Sequence, residues 1–312
     1  MEERPGGVPP DTHAERESPR MDPPNVLWFF GAIVMAIAVN LLLATFPESH
    51  NGLWIFLGAF AFLLVFIAVS LLLLGVFWWV PAGLAAALAV SLVPGTTIGL
   101  LKLVTLWPDD QLSPSSDFSG WAFFVALLTV ATGVVAFVRT RFTFILAEVV
   151  LAILIAAQLL VPAFSSPPSS DARATMAIVS GAALVALGVF LDTRGLRREA
   201  FWFHALGFFA VAAALVYWAS LSSGDHQRGW IPMLVAGIVV MLAAGPIRRA
   251  TWAVYGVIGY FIPVVRYMVN GLDQNSWPFA LWLMLLALSI FLVGISLHRY
   301  GRVWTGRFAR PS

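Results

Sequence analysis

The chain has 312 residues, 60% of them hydrophobic and 11% charged, against roughly 25% charged in an ordinary soluble domain. No single water-soluble core hides that much apolar surface, so lipid must cover a large part of it. The net charge of +2 comes from arginines spread over short connections, which argues against a nucleic-acid patch. With no cysteine, disulfides, thiolate metal sites, cysteine nucleophiles and cysteine-ligated iron–sulfur clusters are excluded.

Residues 1–25 are polar and rich in proline and in charges of both signs. Such a segment cannot bury enough surface to fold and is expected to be a disordered tail. The apolar run that follows is long enough to span a bilayer and lacks a small-residue cleavage site, so it is expected to be an uncleaved signal-anchor. Breaks at proline, glycine and charge clusters then delimit ten predicted spans of about 20 residues. They are 26–46, 53–75, 81–106, 120–138, 142–163, 173–191, 200–221, 230–247, 252–269 and 278–297. Between the second and third lies Gly75-Val76-Phe77-Trp78-Trp79-Val80-Pro81, without a charge. It reads as a tight interfacial turn, since paired tryptophans favour the headgroup level and proline suits a helix start. The membrane domain is thus 26–297, followed by a basic tail over 298–312. The fold class is all-α: a polytopic integral membrane bundle whose short loops make sequential helices antiparallel.

Arginines fall in alternate loops. One side holds Arg139, Arg141, Arg194, Arg197, Arg198, Arg248, Arg249, Arg299, Arg302, Arg307 and Arg310; the other has only Arg173 and Arg228. By the positive-inside rule the first side is cytoplasmic, and both termini lie there. One lysine against seventeen arginines, with abundant Ala, Val, Leu and Gly, suggests a GC-rich bacterial genome and hence a bacterial cytoplasmic membrane. From residue 120 the arginine turns recur roughly every fifty residues, at 139–141, 194–198, 248–249 and 299–302, the first three followed at once by aromatics: Phe142-Thr143-Phe144, Phe201-Trp202-Phe203 and Thr251-Trp252. A duplicated helical hairpin would give this pattern. So would any short-loop bundle with an interfacial aromatic belt, which is the plainer reading.

Charges within spans are costly and are functional candidates by default. Glu148 lies seven residues past Arg141, about 10 Å into an apolar layer about 30 Å thick. It is expected to be protonated, paired or facing a wet cavity: a proton-coupling carboxylate, or a neutral side chain hydrogen-bonded across a helix interface. His204 sits at similar depth, either as a relay partner of Glu148 or as a helix-packing donor. Tyr255, Gly259, Arg266 and Asn270 share one face of the ninth span, and Ser91, Gly95, Lys102 and Thr105 one face of the third. If these converge with Asn40, Gln158 and Tyr217, they form a pocket for an anionic group. Otherwise Lys102 and Arg266 snorkel to headgroups. Pro94-Gly95 and Pro263 mark either broken, ligand-binding helices or simple kinks. Gly95 and Gly99 are spaced for close helix packing.

No Gly-x-Ser-x-Gly, His-Glu-x-x-His or Gly-Lys-Ser/Thr motif occurs. His13, His50, His226 and His298 are not placed for haem with His204, and the acidic run Asp109, Asp110 and Asp117 reads as solvated loop. No cofactor is expected. The reading that follows is a transporter or flippase of a small anionic or amphipathic solute or lipid. The alternative is a non-catalytic accessory or scaffold subunit binding other membrane proteins or a second copy of itself. A lipid-modifying enzyme ranks third, for want of a nucleophile or acid/base cluster.

Overall fold

The computed structural model describes residues 23–44, 52–76, 78–107, 118–165, 168–220, 229–272 and 276–306. The polar N-terminal tail, the loop acids Asp109, Asp110 and Asp117, and His13, His50 and His226 lie outside them, as do the side chains of Asn40 and His298. All secondary structure among the described residues is helical: α1 (Pro23–Ala44), α2 (Leu53–Gly75), α3 (Trp79–Ser91), α4 (Val93–Leu103), α5 (Gly120–Thr140), α6 (Ile145–Leu159), α7 (Val161–Phe164), α8 (Ser170–Thr193), α9 (Arg197–Ser220), α10 (Trp230–Ile247), α11 (Ala250–Gly271) and α12 (Trp277–Gly306). Taking α3–α4 and α6–α7 as single rods, nine helices among the described residues are long and apolar enough to cross a membrane. The first, over Leu27–Leu43, is apolar but shorter.

The chain divides into two compact units, Met1–Leu160 and Val161–Ser312. In the first, α3 is central, in contact with α1, α2, α5 and α6. Its sequence explains why: Ala82, Gly83, Ala85, Ala86, Ala87 and Ala89 are all buried, and side chains this small let neighbouring helices approach closely. Phe142 lies directly over Gly83, where any added methyl would collide with its ring. Phe142 also stacks on Phe29, and Phe144 meets Phe29 edge-on. Gly95 and Gly99 pack on α2 as their spacing predicts: a Cβ on Gly99 would fall 2.5 Å from the backbone nitrogen of Phe56, and one on Gly95 would sit 3.6 Å from Ala59 Cβ.

In the second unit, the hairpins α8–α9 and α10–α11 each pack through glycines. Gly181 meets Gly207 across the first, while Gly237 meets Gly259 and Gly256 meets Met241 across the second. The aromatics that follow the arginine turns mostly point inward: Phe142, Phe203 and Trp252 are buried, and only Phe201 is exposed. Phe144 and Trp202 are half-buried.

The expected breaks are half realised. The third span is interrupted at Leu92, where the ladder tightens to a Leu92 amide bond with the Ala89 carbonyl, and α4 restarts with Pro94 in its first turn. Proline lacks the N–H that would continue the ladder. Two hydroxyls bond back along the new helix: Thr96 Oγ1 donates to the Leu92 carbonyl, which also accepts from the Thr96 amide, and Thr97 Oγ1 to that of Val93. Pro263, by contrast, is buried inside an unbroken α11. A further break occurs at Leu160, just before Pro162, where the sequence reading ran one span through.

Candidate functional site

Glu148 occupies the first turn of α6. The chain reaches it through an arginine turn: Arg141 caps α5 in the left-handed region at φ 55°, and residues 142–144 form a tight turn with i→i+3 bonds into α6. Its Oε2 is buried and has no hydrogen-bond partner among the described residues. The side chain lines a half-open cavity of about 320 Å³ bordered by α3, α4, α5, α6 and Trp107. Glu148 and Leu159 both border it, so it follows α6 for about 16 Å at 1.5 Å per residue. Two hydroxyls reach its wall, and both donate to their own helices: Ser91 Oγ to the Leu88 carbonyl and Thr129 Oγ1 to that of Val125. The remaining wall is apolar, with Pro94, Ile98, Val125 and Ile155 among its members.

His204 sits in a second polar constellation, in the other unit. It is fully buried on α9 and rests on Gly188 of α8, where an added Cβ would come within 2.9 Å of the ring. Trp252 Nε1 donates to His204 Nδ1 at 3.2 Å. That nitrogen must therefore present its lone pair, and the ring proton resides on Nε2, 3.0 Å from Asp192 Oδ2. Asp192 also accepts from Arg249 through both oxygens, at 3.1 Å from Nε and closely from the terminal nitrogen. The same guanidinium reaches the Arg197 carbonyl. One network thus joins the ends of α8, α9 and α11. Both ring nitrogens of His204 are engaged there, between α8 and α11.

The two predicted polar stripes do not hold together. On α11, Tyr255 donates to the Ala205 carbonyl at 3.0 Å and Gly259 packs on Gly237, whereas Arg266 and Asn270 are exposed. The register of α10 against α11 explains the change. It brings Arg266 level with Trp230, the first residue of α10, beyond which α11 loses that neighbour. On the third span, the break at Leu92 separates Ser91, which faces the Glu148 cavity, from Gly95, which faces α2. Lys102 closes the last turn of α4, where a cation suits the helix dipole, with its stem against Gly52. Thr105 lies past that helix at φ 58°. Lys102 belongs to the first unit and Arg266 to the second. Gln158 and Tyr217 are half-buried on α6 and α9.

Sequence reading missed Asp192, Arg249 and Trp252 as partners. Asp192 fell one residue outside a predicted span, and Arg249 served only to set orientation. The available signal was an acid among arginine-rich turns. Two further cavities, of about 420 Å³ between α8, α9, α10 and α11 and about 460 Å³ between α2, α3, α4 and α5, are almost wholly apolar. Among the described residues no cluster of three or more His, Asp or Glu is placed to hold a metal ion. The fold defines an all-helical protein rich in membrane-length apolar helices. No protein-family model, curated protein or solved structure matches the chain.

Proposed function

We propose that the chain is a multi-pass transporter of a small amphipathic solute, set in a bacterial cytoplasmic membrane with both termini inside, and that Glu148 couples transport to protons. The observation that carries this reading is the unpartnered Oε2 of Glu148 at the wall of a cavity. Burying an ionised carboxylate without a partner is expensive. A proton and a polar group of the solute are therefore alternatives at Glu148: each relieves the same cost, and binding one displaces the other. The break at Leu92–Pro94 places irregular backbone beside the cavity, the arrangement by which discontinuous helices form midmembrane sites. A purely architectural subunit would have no use for such a carboxyl, which apolar packing would replace at lower cost.

The test is proton movement in proteoliposomes with pyranine trapped inside, challenged with benzyltrimethylammonium and, separately, with phenylacetate. Solute-dependent proton movement is expected from the wild type and a loss of at least tenfold from Glu148→Gln. Solute-driven movement unaffected by that substitution would remove the assignment of Glu148.

A further inference from the structure

The polar inventory of the Glu148 cavity limits what can enter it. Among its lining residues Glu148 is the single charged group. The Ser91 and Thr129 hydroxyl protons are committed to carbonyls of their own helices, so toward the cavity these oxygens offer lone pairs. Pro94 has no N–H to give. The Trp107 indole stands at the far end of the track, packed with Leu159, about 16 Å along α6 from the carboxylate at 1.5 Å per residue. Near Glu148, then, the site is rich in acceptors and poor in donors. An anion entering it while Glu148 is ionised would meet a like charge and no donor. A neutral hydrocarbon would fill the walls and leave Oε2 unpaired.

We infer that the cavity takes an amphipathic organic cation, its ammonium group on Glu148 and its apolar body along Val125, Ala152 and Ile155 toward Trp107. A cavity of about 320 Å³ lies at the small end of ligand sites, which suits a single-ring amine. This inference rests on the transporter reading for its biological sense, but equilibrium binding tests it without transport.

The protein in nanodiscs of zwitterionic lipid is titrated calorimetrically with three probes of similar size: benzyltrimethylammonium, its uncharged carbon isostere neopentylbenzene, and phenylacetate. Saturable binding of the cation is expected, at least tenfold tighter than either other probe, falling at least tenfold in Glu148→Gln and largely kept in Glu148→Asp. The charge order is read on the unaltered protein, so a variant that fails to fold does not remove the test. Phenylacetate binding as tightly as the cation, or cation affinity unchanged in a folded Glu148→Gln, overturns the inference. Cation binding without solute-driven proton movement would sink transport and keep the ligand class. Proton movement driven by phenylacetate with no cation binding would do the reverse.

Discussion

At Glu148 and at His204 a polar group meets apolar helices, and each is handled differently. His204 bonds to partners on two other helices, with its tautomer fixed by the Trp252 bond. Charge-assisted hydrogen bonds of the kind that hold Asp192 contribute about 1.5–3 kcal/mol each. Arg249→Ala should therefore lower the thermal unfolding midpoint by several degrees, and Arg249→Lys should recover only part of it, because a single ammonium cannot engage both carboxylate oxygens. Differential scanning fluorimetry in detergent measures both. Gly188→Ala is a second case. In an open helix that change gains about 1 kcal/mol, but here the new methyl meets the His204 ring and the midpoint should fall. Lys102→Ala and Arg266→Ala should leave proton movement within about twofold of wild type, since neither side chain lines the Glu148 cavity. Polarity and depth alone made Glu148 and His204 legible in the sequence. Their surroundings were not, because a partner 48 or 57 residues away leaves no periodic trace.

Elements were read well where membrane length governs and less well where proline does. Pro94 and Pro263 carry the same signal in sequence, yet only the first coincides with a break. The difference lies in the neighbourhood. Pro263 is fully buried and held within α11, whereas Pro94 stands in the first turn of α4, where its missing N–H costs no helical bond. The glycine pair Gly95 and Gly99 was correctly legible as a contact surface. Gly99→Leu should push α2 from α4 and reduce the yield of monodisperse protein on size-exclusion chromatography, because backbone atoms of Phe56 cannot yield as a side chain would. At the ends of α5 and α10, arginine occupies left-handed caps, φ 55° at Arg141 and 56° at Arg248, where glycine is the comfortable residue. The strain is of the order of 1–2 kcal/mol per residue.

For the whole molecule, the apolar segments and their order could be read from hydropathy, because a bilayer imposes one length on every crossing. The division at Leu160 could not, since it depends on which faces meet. The proposed orientation gives a direct expectation. In the cysteine-free chain, Leu112→Cys, outside the described residues, should be labelled by an impermeant maleimide added to intact cells. Leu196→Cys should be labelled only after lysis. The reverse pattern would invert the assignment of sides.

The Asp192–His204–Arg249 network also imposes an order in time. Asp192 and His204 stand 12 residues apart and can meet as soon as the α8–α9 hairpin forms. Arg249 follows Asp192 by 57 residues. At ribosomal speeds of roughly 5–20 residues per second, it arrives on the order of 3–11 s later. Until then the hairpin lacks its fastener, and the guanidinium that closes it belongs to the turn that leads into α11. A nascent chain stalled before residue 249 should therefore hold the α8–α9 hairpin unlatched.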